Sequence, residues 1–133
     1  MTDTLTPHEL GALGEDIAAQ WLRDHHFTIL DRNVRMPGIR GELDIIAADR
    51  DAAYIVFIEV KTRRSTRTGW PEEAITPAKE RTIRLIASEW LIARYTESLD
   101  SLPPHEGIRF DVISLLGNPT DGFEVQHFRD VLR

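Results

Sequence analysis

The sequence predicts an α/β domain in which a mixed sheet is flanked by helices. Two apolar runs, Leu43–Ala48 and Tyr54–Val60, lie on either side of a short polar turn, which is typical of an antiparallel hairpin. Apolar side chains then repeat at helical spacing over residues 77–95, before another apolar run at 108–116. A connection of that length suits a parallel pair of strands, so the sheet should contain both orientations. The chain has 133 residues, which is enough for one domain with a substantial core, and we assign residues 1–133 to a single domain.

The first helix is expected from Pro7 to about His25. Thr6 is an N-cap candidate, Pro7 suits the first helical position, and Glu9 completes a capping box. Apolar residues recur along it at helical spacing: Leu10, Leu13, Ile17 and Trp21. Glu15 lies near the border of this apolar stripe. The pattern therefore leaves two interpretations of Glu15, a solvated glutamate or one that reaches a site on the neighbouring sheet.

Charged residues interrupt the hairpin that follows a predicted edge-side strand at 27–34. Asp44 lies inside the first hairpin strand, and Glu59 and Lys61 end the second. Since side chains alternate along a strand, Glu59 and Lys61 should share a face, and pairing across the turn would bring Asp44 close to Glu59. Burying a carboxylate costs free energy of folding, so half-buried carboxylates are expected mainly where they are paired or bind a ligand. Mg²⁺ or Mn²⁺ binding for phosphodiester chemistry suits them, because such ions prefer carboxylate oxygens and a nearby lysine can act on the attacking water or on phosphate charge.

The distribution of basic residues favours a local anionic partner. The formal net charge is −6, which disfavours a broad nucleic-acid coat. No acid occurs between Glu59 and Glu72, although several basic residues do, and Arg40 precedes the hairpin. Lys79, in the first turn of the second helix, opposes the helix dipole unless it faces an anionic ligand or the acidic cluster; its stem could equally cover the core. We expect these side chains to contact nucleic acid: Arg40, Arg63, Arg64, Arg67 and Lys79.

The remaining segments are assigned mainly structural roles. Residues 62–69 are polar and small, and they predict a mobile surface loop, with Trp70 packed beneath it rather than stacked on a base. Glu42 shares a strand face with Asp44, and we interpret it as an exposed strand residue in preference to an outer group of the site. Arg109 and Asp111 are expected to pair with each other or with the neighbouring strand. A last short strand is predicted at 123–128.

Four sequence blocks, in order, resemble a known family. They are Gly14-Glu15, GELD at 41–44, FIEVKTR at 57–63 and Arg109-Phe110-Asp111. Together they resemble the YraN-type family of bacterial, predicted endonuclease-like proteins, which is similar to archaeal Holliday-junction resolvases. Asp44 with Glu59-Val60-Lys61 resembles the PD-(D/E)XK nuclease signature. The resemblance implies a restriction-endonuclease-like α-β-β-β-α-β-β core, Mg²⁺ or Mn²⁺ held by Asp44 and Glu59, and Glu15 and Lys61 as further catalytic residues.

Three functions follow from these patterns. The first is a metal-dependent nuclease that cuts DNA, with branched substrates favoured and RNA left open. The second is a binding module for nucleic acid or protein that keeps the fold without cutting. The third is structural, with Glu59 and Lys61 as an exposed ion pair. We expect a cytoplasmic protein without membrane attachment, because the chain lacks cysteine and its apolar runs, such as Ile55–Ile58, are far too short to span a bilayer. A homodimer would be needed to cut a two-fold symmetric junction.

Overall fold

The computed structural model describes residues 5–65, 75–97 and 102–132. Its elements are α1 (Pro7–Asp24), β1 (Phe27–Val34), β2 (Leu43–Asp49), β3 (Tyr54–Arg63), α2 (Pro77–Glu97), β4 (Gly107–Asn118) and β5 (Gly122–Phe128). The predicted α/β class and the order α-β-β-β-α-β-β are confirmed. One boundary differs from the predictions in a way that matters for the site, because β3 continues through Thr62 and Arg63 where a loop was expected. Residues 66–74, which include Arg67 and Trp70, lie outside the described residues.

The five strands form one mixed sheet in the order β1-β2-β3-β4-β5. β3 and β4 run parallel and are connected through α2, whereas the other neighbouring pairs are antiparallel. In the central hairpin Ile45 pairs with Ile58. One step further along, Asp44 at the start of β2 comes opposite Glu59 near the end of β3. The hairpin therefore brings these two acids to the same end of the sheet.

The two helices cover opposite faces of the sheet. Alternate β3 residues separate into two core clusters, since Phe57 packs with α2 residues such as Ile86 and Trp90, and Ile58 packs with α1 residues such as Leu22. Each fully buried side chain of this size contributes about 1.5–3 kcal/mol to folding. The core thus fixes both helices against β3, the strand that carries Glu59.

Both helices begin at the end of the sheet where β3 finishes. The predicted capping box of α1 is confirmed, because Thr6 Oγ1 accepts from Glu9 N–H (3.1 Å) and Glu9 Oε1 accepts from Thr6 N–H (3.0 Å). At the start of α2, Thr76 Oγ1 accepts from Lys79 N–H (3.2 Å). These caps fix the first turns of both helices. First-turn residues of α2 and third-turn residues of α1 are thereby placed beside the acids of the hairpin.

A buried ionic network occupies the opposite end of β2. Arg109 Nε donates to Asp111 Oδ1 (2.9 Å), and its Nη2 lies 3.1 Å from Asp49 Oδ2. His127 Nε2 lies 2.7 Å from Asp111 Oδ2. The prediction that Arg109 and Asp111 pair is confirmed, and their partners join β2, β4 and β5. No helix within the described ranges combines the length and the apolar composition needed to span a membrane.

Candidate active site at the end of the central hairpin

The Asp44 carboxylate is fixed against the neighbouring strand. Asp44 is half-buried at the start of β2, and its Oδ2 accepts a hydrogen bond from Val60 N–H (2.7 Å). This bond continues the β2–β3 ladder through a side chain in place of a backbone carbonyl. Burial raises the pKa of Asp44, and the Val60 N–H and the Lys79 ammonium oppose that rise. The chain therefore orients Asp44 firmly but does not fully neutralise it.

Glu59 is a buried carboxyl group next to Asp44. Its side chain is only 5% exposed, and the carboxylate of Asp44 lies close enough to act on its pKa. Lys79 pairs with Oε1, whereas Oε2 is buried without a hydrogen-bond donor among the described residues. Burial, followed by the charge of Asp44, raises the pKa of Glu59 to about 7. Two carboxyl groups in contact need a proton or a cation between them, so the pair is suited to hold either.

Glu15 reaches the same site because a glycine precedes it. A side chain at Gly14 would place its Cβ 1.8 Å from Thr62 Oγ1, so only glycine lets α1 lie this close to β3. The carboxylate of Glu15 then meets those of Asp44 and Glu42, with one oxygen from each lying within 4.8 Å of the others. Burial, and next the charges of Asp44 and Glu42, raise the pKa of Glu15 to about 7. Of the two interpretations of Glu15, the structure favours the one that reaches the site.

The prediction that Glu42 is an exposed strand residue is wrong. Glu42 is half-buried, precedes the first residue of β2 and belongs to the acidic cluster. Gly41 has φ +118°, and a Cβ there would lie 2.8 Å from Thr82. The chain turns at this glycine in a conformation unavailable to other residues, so strand alternation does not extend back to Glu42. Arg35 Nη2 pairs with its Oε2 at 2.9 Å.

Asn33 connects Glu15 and Glu42, and the sequence patterns did not predict it. With its amide oriented by the hydrogen-bond network, Nδ2 lies 2.7 Å from Glu15 Oε1 and 2.8 Å from Glu42 Oε1. Its backbone has φ +52°, a left-handed conformation that asparagine tolerates better than most residues. An asparagine near the end of a strand whose register shifts is a weak sequence signal for such a contact. The amide thus holds two carboxylates from different elements side by side.

The ammonium beside the carboxyl pair belongs to Lys79, where we expected Lys61. Lys61 is exposed, and within residues 5–65, 75–97 and 102–132 its side chain forms no hydrogen bond or ion pair. Strand alternation places it on the same sheet face as Glu59. The structural interpretation of an exposed Glu59–Lys61 ion pair is wrong, because Glu59 is buried and pairs with Lys79.

Two clefts meet at this acidic cluster. A cleft of about 540 Å³ is lined by Arg40, Asp44, Glu59 and Lys79, and another of about 740 Å³ runs past Glu15 along α1. Glu42 lines both clefts. The site is therefore open from two sides and large enough to admit a chain of phosphates.

The predicted nucleic-acid contacts are distributed unevenly around the clefts. Arg40 is exposed at the rim of the smaller cleft. Arg63 is half-buried, and Arg64 is exposed and donates to the Leu5 carbonyl (2.9 Å). Arg67 lies outside the described residues, and Lys79 is engaged by Glu59. Their contact with nucleic acid remains a prediction.

Comparison with known proteins assigns the chain to a family. The model of the uncharacterised protein family UPF0102 matches residues 14–115. The chain belongs to the UPF0102 (YraN) family. A UPF0102 protein of Syntrophotalea carbinolica is 48% identical over 119 residues, covering 90% of this chain and 87% of the relative. A UPF0102 protein of Bifidobacterium longum is 45% identical over 112 residues, covering 84% of each chain. One of Rhodococcus opacus is 42% identical over 121 residues, covering 91% of this chain and 93% of the relative.

The UPF0102 match and the acidic site coincide in the chain. The matched segment begins at Gly14, the glycine that lets α1 approach β3, and it includes Lys79 and every carboxylate of the cluster. It ends before His127, the β5 member of the buried network at the other end of β2. The site described above is thus contained in the part of the chain that defines the family.

Proposed function

We propose that this UPF0102 protein is a metal-dependent nuclease that hydrolyses DNA phosphodiester bonds, with flexible or branched DNA preferred. The observation that carries the proposal is the buried Asp44–Glu59 carboxyl pair, in which Glu59 Oε2 is buried without a donor among the described residues. A buried carboxylate oxygen whose only role is structural usually accepts a hydrogen bond from a donor in the protein. An oxygen left this way suits a cation that binds in solution.

The donor set fits Mg²⁺ or Mn²⁺. All four side chains offer carboxylate oxygens, which are the ligands these hard ions prefer. Oxygens on opposite sides of a Mg²⁺ ion are about 4.2 Å apart, because each Mg–O bond is about 2.1 Å. Oxygens of Glu15, Glu42 and Asp44 lie within 4.8 Å of one another, which is close to that distance. We assign Asp44 and Glu59 as the residues that would hold the ion, because Glu59 Oε2 is buried without a donor among the described residues, and we place Glu15 and Glu42 beside them.

The residues around the ion have separate tasks in the proposed reaction. A divalent ion in such a site supplies charge stabilisation on phosphate and makes water more acidic. Glu15, whose carboxylate lies beside those of Asp44 and Glu42, can accept a proton from the attacking water. Lys61, exposed on the face of Glu59, can neutralise charge that develops on the phosphate. Arg40 and Arg64, exposed near the clefts, can bind flanking phosphates.

The substrate preference follows from the charge and size of the chain. The net charge of −6 leaves little surface for reading duplex grooves. A few arginines near two open clefts can hold a deformable strand more easily than a stiff duplex. A flexible or branched DNA would therefore place a phosphate at the carboxyl pair with less distortion.

The test is cleavage of a substrate panel with matched variants. Linear, nicked, flapped and four-way DNA are incubated with purified protein and Mg²⁺ or Mn²⁺. We expect cleavage that Asp44→Asn abolishes, and a loss of about 10²–10³ in rate for Lys61→Ala with little change in binding. Arg64→Ala should instead weaken binding and reduce its salt dependence by about one charge. If no substrate is cut while branched DNA binds through Arg64, the chain is a binding module.

A further inference from the structure

Lys79 can serve as the counterion of Glu59 or bind a phosphate of the substrate, but it cannot do both at once. Its ammonium pairs with Glu59 Oε1, so in this state it serves as the counterion of the buried carboxyl pair. The same residue lines the smaller cleft together with Arg40, where a phosphate would pass. One ammonium cannot neutralise Glu59 and bind a phosphate fully at once. The structure shows Lys79 as the counterion of Glu59, and binding of a phosphate is the role that we infer for it below.

A divalent cation at the carboxyl pair would weaken the hold of Glu59 on Lys79. A cation shared by Asp44 and Glu59 places two positive charges within a few ångströms of the ammonium, and like charges at that distance repel strongly where solvent is scarce. Glu59 is 5% exposed, so the solvent around it screens little of this repulsion. The cation also takes up the carboxylate charge that attracts Lys79. Both effects favour departure of the ammonium.

The lysine can leave without any change in the backbone. Its side chain is 40% exposed, so the ammonium already has access to water at the mouth of the cleft. Lys79 lies in the first turn of α2, where the helix dipole disfavours a positive charge unless an anion compensates it. Once a cation neutralises Glu59, a substrate phosphate in this cleft is an anion that the released ammonium can reach, since Glu42, which also lines the cleft, is paired with Arg35.

We propose that Lys79 is an internal counterion that a divalent cation displaces from Glu59, and that the released ammonium then binds a phosphate of the substrate. This inference rests on the proposed function, because it takes Asp44 and Glu59 as the cation ligands. It has two consequences. Lys79 lowers the affinity for metal in the absence of DNA, and it makes metal and DNA each raise the affinity for the other by the same factor.

The first experiment measures metal binding without DNA. Mn²⁺ affinity is determined for the full chain by electron paramagnetic resonance of free Mn²⁺, with Asp44→Asn as the variant that lacks the site. Lys79→Met keeps the length of the side chain and removes its charge, and we expect it to bind Mn²⁺ about fivefold more tightly. Lys79→Gln should do the same. The matched control is Arg81→Met, which removes an exposed charge two residues along α2 and should change the affinity by less than about twofold.

The second experiment measures the coupling to DNA. Binding of a labelled four-way junction is followed by fluorescence anisotropy with and without Ca²⁺, which prefers similar oxygen ligands, and the DNA is checked afterwards for integrity. We expect Ca²⁺ to tighten binding of the wild type and of Arg81→Met by about fivefold or more, and this gain to be clearly smaller in Lys79→Met, where only the direct attraction between the ion and phosphate remains.

Different failures of these experiments identify different errors. If Mn²⁺ binding is absent or is unaffected by Asp44→Asn, the proposed function fails and the inference fails with it. If Mn²⁺ binds through Asp44 but Lys79→Met matches Arg81→Met or binds more weakly, only the inference is overturned, because Lys79 then supports the site in place of competing with metal. A Ca²⁺-dependent gain in DNA affinity that is as large in Lys79→Met as in the wild type overturns it as well.

Discussion

Replacing Glu59 by glutamine should stabilise the metal-free protein at alkaline pH. The pKa of Glu59 is raised from 4.5 to about 7, so the folded state holds a proton that the unfolded state releases between these values. The sign follows from linkage: the stabilisation tied to that proton is complete below the unfolded pKa and is lost as pH rises through about 7. A difference of about 2.5 in pKa corresponds to about 3 kcal/mol, which is the cost of keeping Glu59 ionised at high pH. Glutamine removes this cost.

The attraction of Lys79 is already included in this cost, because it opposes the rise in the pKa of Glu59. We therefore expect Glu59→Gln to raise the free energy of unfolding by about 3 kcal/mol at about pH 8, or the melting temperature by about 10 °C. At about pH 5 the folded wild type carries the proton and the unfolded chain has lost only part of its own, so the variant should be more stable by no more than about 1 kcal/mol.

The assay is urea unfolding in the presence of EDTA, followed by circular dichroism, at several values between pH 5 and pH 8. Comparison of variant with wild type at each pH cancels the titration of the groups that do not interact with Glu59. Glu89→Gln, which removes an exposed carboxylate from the outer face of α2, is the matched control and should change stability by less than about 0.5 kcal/mol throughout. The reasoning is refuted if Glu59→Gln destabilises the protein at pH 8, or if it gives the same change at pH 5.

Two further predictions concern the neighbours of the site and the opposite end of β2. Asn33→Ala should weaken Mn²⁺ binding by about tenfold, because the amide no longer holds Glu15 beside the cluster; unchanged Mn²⁺ affinity would contradict this positioning role. Asp111→Asn should lower the free energy of unfolding by about 3 kcal/mol at neutral pH, measured as a lower urea midpoint at constant slope. Burial alone would raise the pKa of Asp111, but hydrogen bonds from His127 and Arg109 outweigh it and lower the pKa. That stabilisation is therefore present above the unfolded pKa of 3.8 and lost as pH falls below it, and an Asp111→Asn effect that persists in acid would contradict this account.

Local patterns were sufficient to predict most of the fold. The capping box of Thr6 and Glu9 depends on residues three apart, and the hairpin depends on two apolar runs joined by a short turn. Both are set by interactions between near neighbours in sequence, which propensity and periodicity describe well. The parallel β3–β4 pair followed from the length of the connection through α2. The convergence of Asp44 and Glu59 followed from the same hairpin.

The composition of the site depended on contacts that no local pattern encodes. Glu42 was misassigned because Gly41 turns the chain before β2, where the alternation of a strand no longer applies. Asn33 joins the cluster from β1 through a left-handed backbone, and Lys79 reaches Glu59 from a helix that is distant in sequence. A polar residue of this kind looks the same in sequence whether it faces solvent or a carboxylate. Only the packing of helices on the sheet decides between the two.

The two ends of β2 show why the acidic cluster is better explained by binding than by stability. At one end Asp49 meets Arg109, and the buried acid of β4 beside it is held by Arg109 and His127, so the charges there are compensated within the fold. At the other end Lys79 and Arg35 pair with Glu59 and Glu42, while Glu15 and Asp44 have no ion-pair partner within the described residues.

The same short strand therefore carries one ionic cluster that the chain neutralises and one that it does not. Burying uncompensated carboxylates costs stability, as the raised pKa values of Glu15 and Glu59 indicate. A cation that binds only the folded state would recover that cost through mass action. Mg²⁺ or Mn²⁺ should consequently raise the free energy of unfolding, because the ion neutralises carboxylates that the protein's own basic residues do not. Asp44→Asn should remove most of that gain.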